Sequence, residues 1–400
     1  MIIEPKVRGF ICTTAHPVGC RENVKRQIDY IKTQSSSNST TAKTPKKVLV
    51  IGCSTGYGLA SRIALAYTYE TATLGIMYEK EASGTRTATA GWYNTAAFES
   101  FAQQDGLYAQ TLNGDAFSKE MKEQAIAKIK QDLGKVDMVI YSLAAPRRTT
   151  ADGTTYTSVL KATAEPFVSK SLDLRHNTIV EATIPSATEE EIEATVKVMG
   201  GEDWEDWIQA LVDADAIEED AVTIAYSYIG PKLTYPIYKE GTIGHAKEHL
   251  HQTAKEITAT YENHGIHAYI SVNKALVTQA SAAIPVVPLY ISLLYKVQKE
   301  LGTHEGCIEQ ICRLFNKKYI ESAPQVDEAG LIRLDDYELD SKVQKRIEEI
   351  WPTITTDNIK DNADIAGYWE DFYTMFGFHI AGVNYEQEVD AAVSIPSILP

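Results

Sequence analysis

Apolar and polar positions alternate between two periods along most of the chain. Lys47-Val48-Leu49-Val50-Ile51-Gly52 is a β-branched apolar run of buried-strand type, and Leu59 to Tyr69 follows with helical spacing at Leu59, Ile63 and Ala66. Ala72 to Tyr78 predicts a second strand and Leu107 to Leu112 a third. A helix over Glu120 to Leu133 leads into a fourth strand, Val136 to Ser142. Residues 147–186, rich in Thr, Ser and polar turns, break the rhythm and predict an insertion over the sheet. A helix over Ala187 to Ala214 and strands over Ala221 to Tyr228 and His267 to Val272 resume it. From Lys296 onward charged amphipathic helices dominate, and these should pack around the sheet. Alternation of this kind gives an α/β fold, a doubly wound parallel sheet with right-handed crossovers.

Composition narrows the class. Of 400 residues, 44% are hydrophobic and 23% charged, which excludes disorder over the whole chain. Lys plus Arg minus Asp plus Glu gives 38 − 54 = −16. A chain this acidic has no general attraction for nucleic acid or an anionic membrane, so an anionic ligand needs a local site. Cysteines at 12, 20, 53, 307 and 312 argue against a disulfide framework and suit a reducing, cytoplasmic compartment. The first residues, Met1-Ile2-Ile3-Glu4-Pro5-Lys6, carry no apolar run of signal-peptide type. Ala275 to Tyr295 is a 21-residue stretch without formal charge, but Thr278, Gln279, Ser281, Pro285 and Pro288 interrupt it. It reads as a buried segment lining an apolar ligand rather than a membrane span.

The first strand runs into Gly52-Cys53-Ser54-Thr55-Gly56-Tyr57-Gly58 and then a helix. Glycines there permit a tight turn and close approach of backbone to a pyrophosphate, which the helix N-terminus attracts. The strand before and the helix after make this a dinucleotide-binding, Rossmann-type pattern. Glu79 lies 21 residues beyond Gly58, where a carboxylate binds ribose hydroxyls and repels a 2′-phosphate. NADH is therefore favoured over NADPH, although Lys80 and Arg86 lie close; a solvated strand-end charge is the plainer reading of Glu79. Asp115, followed by Ala116, sits where an adenine amino group would be met, or is an ordinary turn aspartate. The expected organisation is one large domain over 1–400. It comprises an N-terminal module and polar loop (1–46), a Rossmann core (47–295) with the insertion at 147–186, and a helical cover (296–400).

Tyr238 and Lys247 are nine residues apart. On one continuous helix they would face opposite ways, so they converge only if Tyr238 precedes the helix and Lys247 lies within it; Gly241 and Gly244 suit such a break. Near a lysine cation the tyrosine pKa would fall below its usual value of about 10. The same stretch, His245-Ala246-Lys247-Glu248-His249, matches the inverted zinc-peptidase pattern, with His245 and His249 on one helix face. No third ligand is identifiable, and surface histidines are the simpler reading. Cys12, His16 and Cys20 lack a second half-site for zinc, Cys307 and Cys312 lack zinc spacing, and Trp204 with Trp207 reads as a packing pair.

The sequence resembles the FabV-type enoyl-acyl-carrier-protein reductases and the related trans-2-enoyl-CoA reductases nearly end to end. The likeness is carried by Arg8-Gly9-Phe10-Ile11-Cys12-Thr13-Thr14-Ala15-His16-Pro17, Gly56-Tyr57-Gly58-Leu59-Ala60-Ser61-Arg62, Gly91-Trp92-Tyr93-Asn94 and Asn113-Gly114-Asp115-Ala116-Phe117-Ser118. Gly200-Gly201-Glu202-Asp203-Trp204-Glu205, Ala225-Tyr226-Ser227-Tyr228-Ile229-Gly230, Gly241-Thr242-Ile243-Gly244 and His304-Glu305-Gly306-Cys307-Ile308-Glu309-Gln310 extend it. The resemblance implies an enlarged short-chain-dehydrogenase-like fold with inserted substrate-covering elements, a monomer, and NADH-dependent reduction of an enoyl thioester carried on acyl-carrier protein or CoA. It implies Tyr238 and Lys247 as the catalytic pair. For the cofactor it implies Gly52, Ser54, Gly56, Tyr57, Gly58, Glu79, Asp115, Ala116, Leu143, Ala144, Lys247 and Thr278, with Tyr228 and Thr278 also toward substrate. Ser142-Leu143-Ala144-Ala145-Pro146-Arg147-Arg148 departs from the family at Arg147, which bears on cofactor or substrate contacts or offsets the acidic field. A non-catalytic NADH-binding regulator is the remaining alternative from another class.

Overall fold

The computed structural model describes residues 1–8, 11–34, 44–278, 281, 284–318 and 324–398. Most of the polar loop expected over 34–45, and Gln279, lie outside them. The sheet strands are β3 (Lys47–Ile51), β4 (Ala72–Met77), β5 (Ala109–Asn113), β6 (Val136–Tyr141), β11 (Ile217–Ser227), β12 (His267–Val272) and β13 (Leu331–Arg333). All pair in parallel, in the order β13-β12-β11-β6-β3-β4-β5. The central strands β3, β4 and β6 are buried on both faces, which is why they read as apolar runs. Along β3, Val48 and Val50 enter one core and Leu49 and Ile51 the other. Strand order reverses between β3 and β6, the crevice where open α/β sheets bind ligands.

Helices cover both faces. On one lie α1 (Pro17–Gln34), α2 (Gly56–Tyr69) and α3 (Ala90–Gln104); α1 packs on the other two. On the other lie α4 (Lys119–Asp132), α5 (Glu189–Met199), α6 (Glu202–Asp213) and α7 (Thr242–Thr260). Here Trp204 and Trp207 are fully buried, as a packing pair should be, and their indole N–H groups donate to Thr223 Oγ1 and the Ala116 carbonyl. Ahead of α1, β1 (Val7–Arg8) pairs with β2 (Ile11–Cys12). The insertion forms two antiparallel hairpins, β7 (Arg147–Thr149) with β8 (Thr155–Thr157) and β9 (Phe167–Asp173) with β10 (Thr178–Ile184). The second hairpin packs on α8 (Val287–Leu301), whose residues Val287 to Tyr295 are all buried. The described part of the charge-free stretch is thus mostly core, and among the described residues no helix is long and apolar enough to cross a membrane. After α8 come α9 (Cys307–Arg313), α10 (Ser341–Ile350), α11 (Ile359–Asn362) and α12 (Ile365–Thr374); α10 and α12 pack on α8.

Four elements differ from the sequence expectation. The helix expected over 187–214 is two, because Gly200 and Gly201 cap α5 and α6 respectively. The fifth strand starts at Ile217, ahead of a register irregularity between Ile217 and Val222 that the charged residues Glu218, Glu219 and Asp220 conceal. α3, rich in small and aromatic residues, gave no clear period. β13 has three residues, too few for a pattern.

Candidate active site

The glycine turn is set by contact with the neighbouring strand. Gly52 has φ +81°, and a Cβ there would lie 2.2 Å from the Ser142 carbonyl oxygen. A Cβ on Gly58 would lie 1.9 Å from the carbonyl oxygen of Gly52, so the first turn of α2 folds directly onto the end of β3. Gly56 instead borders open space. Thr55, the N-cap of α2, gives no side-chain cap bond, so helix N–H groups stay available to an anion. Ser54 Oγ donates to Glu79 Oε1 at 2.6 Å, and Asn113 holds the Glu79 backbone through both its N–H and carbonyl, at 2.8 and 3.0 Å. Residues 52–58 and Glu79 are therefore brought together into one cradle whose shape and charge fit a dinucleotide with a free ribose. Leu143 and Ala144 follow β6 beside it, since Ser142 N–H donates to Ile51 O. Asp115 lies in the exposed turn after β5, with its carboxylate accepting the Phe117 N–H at 3.0 Å; Ala116 is buried behind it.

Tyr238 lies in the turn before α7 and Lys247 within the helix, the placement that convergence of the two would require. The turn is tight: a Cβ on Gly244 would lie 2.0 Å from the Lys239 carbonyl. Lys247 Nζ donates to the Tyr226 carbonyl at 3.3 Å. Tyr226 packs its ring 5.8 Å from Tyr57 of the glycine turn, and its hydroxyl meets Ser61. Just past the end of β11, Tyr228 meets Tyr238 edge to face at 4.6 Å. Two ring contacts, Tyr57 with Tyr226 and Tyr228 with Tyr238, thus lie two residues apart on one segment between the glycine turn and Tyr238, whose hydroxyl has no hydrogen-bond partner among the described residues. Burial lowers the Lys247 pKa to about 8. Burial, with the Glu338 carboxyl adding to it, raises the Tyr238 phenol well above its usual value. The lowering expected from the lysine is not seen: burial and Glu338 are what act on the phenol, and both raise it.

Residues that spacing did not reveal complete the site. Glu338, fully buried between β13 and α10, accepts three hydrogen bonds: Tyr228 OH at 2.8 Å and Tyr290 OH at 2.7 Å on Oε1, and Ala275 N–H at 2.7 Å on Oε2. Burial raises its pKa. Gln310 of α9 accepts the Lys274 N–H at 3.0 Å and donates to Tyr57 OH at 2.9 Å, while Tyr57 OH donates to the Lys274 carbonyl. These two side chains fix the start of the 275–278 strip from both sides. Thr278 closes that strip in a reciprocal pair with Ser281. Only the resemblance pointed near Gln310; Glu338 stands among acidic neighbours with no distinguishing pattern.

The competing motifs have structural roles. His245 is exposed, and His249 Nδ1 accepts the Gly201 N–H at 3.0 Å, so it caps the α5–α6 junction. Among the described residues no three metal-ligating side chains converge. His16 and Cys20 are buried against the 376–385 segment, with the His16 ring 4.9 Å from Tyr385. Arg147 is exposed on β7, whereas its neighbour Arg148 is buried, paired with Glu202 at 2.6 Å and Asp206 at 3.2 Å.

Three family models match: the NAD(P)H binding domain of trans-2-enoyl-CoA reductase over residues 2–84, the trans-2-enoyl-CoA reductase catalytic region over 86–320, and an enoyl reductase FAD binding domain over 326–389. An enoyl-acyl-carrier-protein reductase (NADH) of Flavobacterium johnsoniae is 54% identical over the full length of both chains. A trans-2-enoyl-CoA reductase (NADH) of Clostridium perfringens is 53% identical, covering 98% of this chain and 99% of its own. The crystal structure of Treponema denticola trans-2-enoyl-CoA reductase with NAD superposes with a TM-score of 0.94 at 48% identity, covering 97% of this chain and 98% of that one. Residues 326–389 do not fit a flavin. Their inward side chains, Val343, Ile347, Ile359, Tyr368 and Phe372, are buried in the core, and β13 runs into Asp335, Asp336 and Glu338 rather than a glycine turn.

Proposed function

The chain belongs to the trans-2-enoyl-CoA reductase family, which its enoyl-acyl-carrier-protein reductase relatives share, and from that premise we propose that it reduces the 2,3 double bond of trans-2-enoyl thioesters with NADH. The observation that carries the reading is the 226–228 segment, which touches Tyr57 of the glycine turn through Tyr226 and, through Tyr228, the ring of Tyr238, whose hydroxyl has no partner among the described residues. When bound, NADH supplies the hydride that C3 of the substrate receives. The residues 52–58 hold its pyrophosphate, and Glu79 takes the ribose hydroxyls. Negative charge then develops on the thioester oxygen. Tyr238 hydrogen-bonds that oxygen or donates the proton that quenches the enolate, and a high phenol pKa keeps that proton in place at neutral pH. Lys247 holds the ribose, and the 275–278 strip with α8 lines the acyl chain.

Tyr238→Phe should lose turnover by roughly 10²–10⁴-fold, the usual scale for a general acid, while NADH affinity stays unchanged. Full activity in that variant would remove Tyr238 from the mechanism. NADH binding with no turnover of any enoyl thioester by the unmodified protein would leave only a regulator. On acyl-carrier protein the reaction would close fatty-acid elongation; on CoA it would serve fermentative reduction. Five free thiols support a reducing, cytoplasmic setting. The family resemblance supports a monomer, which light scattering would test.

A further inference from the structure

A second cleft, of about 800 Å³, opens between the β9–β10 turn, β1 and α12. That volume is in the range of small-molecule sites. Val7, Arg8, Leu174, Arg175, Asn177, Trp369 and Tyr373 line it. Trp369 and Tyr373 are one helical turn apart on α12, with rings stacked 5.7 Å apart at 30°, and Tyr373 stacks in turn on His379 at 4.2 Å. The Trp369 indole N–H donates to Asn177 Oδ1 at 3.1 Å, which fixes the ring across the cleft. Neither Arg8 nor Arg175 forms an ion pair among the described residues. The nearby carboxylate, Asp173, is taken by His176 Nδ1 at 2.8 Å and by the Arg175 N–H. In a chain of net charge −16, two guanidinium groups without an ion-pair partner among the described residues, that of Arg175 also within the field of Asp173, stand beside a ring stack and form a local site for an anion that carries a flat ring.

Both walls of the cleft also bear on the acyl strip. On α12, Asp371 lies on the face away from Trp369 and Tyr373 and accepts the Tyr295 hydroxyl at 2.7 Å; Tyr295 OH accepts the Val277 N–H at 3.2 Å. On β9, Ser171 Oγ accepts the Val286 N–H at 3.1 Å at the start of α8. We propose that this cleft binds the phosphorylated adenosine end of a CoA thioester, with the purine on the Trp369–Tyr373 stack and the phosphates at Arg8 and Arg175. The inference rests on the enoyl-thioester reading and adds to it a reason to favour CoA over a protein carrier.

The test uses the full chain saturated with NADH, so that the cofactor crevice is filled. Adenosine 3′,5′-bisphosphate is the calorimetric probe, and crotonyl-CoA, crotonyl-pantetheine and crotonyl-acyl-carrier protein are the substrates. The bisphosphate should bind one site and compete with crotonyl-CoA. The double variant Arg8→Glu/Arg175→Glu should raise KM for crotonyl-CoA by about tenfold or more, leave kcat unchanged, and leave crotonyl-pantetheine kinetics unchanged. Trp369→Leu should weaken bisphosphate binding while thermal melting shows a folded protein. An unchanged KM for crotonyl-CoA would overturn the proposal. So would a larger effect of the double variant on the acyl-carrier-protein substrate, which would give the arginines to a protein partner. Bisphosphate binding abolished by Arg8→Glu/Arg175→Glu, with no turnover of any thioester, would support the cleft and reject the reductase reading instead.

Discussion

The two halves of the crevice are built differently. The cofactor half is local: Gly52 to Gly58 is one turn, and Glu79 reaches Ser54 from the next strand of the sheet. The acyl half is assembled from afar. Tyr228, Ala275 and Tyr290 meet on Glu338, separated from it by 110, 63 and 48 positions. Backbone geometry sets the first half, and a single buried carboxyl organises the second. The two halves should therefore fail separately when either is disturbed.

The largest effect is expected at Gly58. In Gly58→Ala the methyl meets backbone oxygen at 1.9 Å, which no rotamer relieves. Destabilisation of about 1–3 kcal/mol is the usual scale for overpacking, and NADH binding should be lost. Unaltered NADH fluorescence titration would show that the turn can open. Glu338→Gln should leave NADH affinity intact and lower kcat/KM for the enoyl substrate by about tenfold, since the single amide oxygen can serve either the Ala275 N–H or the two tyrosine hydroxyls but not both, and an unpaired buried donor costs about 1–3 kcal/mol. A parallel loss of NADH affinity would erase the distinction between the halves. A smaller change is expected of Glu79→Ala, in which the 2′-phosphate of NADPH no longer meets a carboxylate. The preference for NADH over NADPH should narrow by a few-fold, read as a ratio of Kd values; an unchanged ratio would assign the discrimination elsewhere.

The smallest effect concerns pH. Lys247 has a folded pKa of about 8, below the usual lysine value, so its ammonium is present below pH 8 and lost above it. NADH affinity should weaken by a few-fold between pH 7 and 9. Folding stability takes the opposite sign. Between about pH 8 and 10 the unfolded chain binds more protons at Lys247 and at Lys274, also lowered to about 8 by burial, so this contribution to stability rises with pH. Melting temperature and Kd measured across that window should diverge, and a common fall would place the titration elsewhere.

The same contrast explains what the sequence reveals. The glycine turn, Glu79 and the parallel strands are legible because each depends on residues within a strand–helix unit. Helical geometry set the condition that Tyr238 precede α7 if it is to meet Lys247, and it does precede it. Trp204 and Trp207 were recognisable as core by their spacing. Glu338 and Gln310 were not, since neither has a periodic signature and their partners are set by tertiary folding. The motif reading also missed the break at Gly200-Gly201, where two helix formers flank a glycine pair without a proline or a polar turn.

The cofactor half has one dependence that reaches far along the chain. Arg62 of α2, fully buried, donates to Thr111 Oγ1 at 2.7 Å, and Thr111 Oγ1 donates to Glu99 of α3 at 2.5 Å. The other Glu99 oxygen accepts the backbone N–H of Ser397, whose own hydroxyl meets Glu99 and Thr111. A buried charge in the first 100 residues is thus completed by a residue made about 300 positions later. During synthesis on the ribosome, the nucleotide-binding unit can collapse early, yet Glu99 lacks two of its donors until Ser397 has emerged. Completion of this buried network therefore waits for a residue translated about 300 positions after the others.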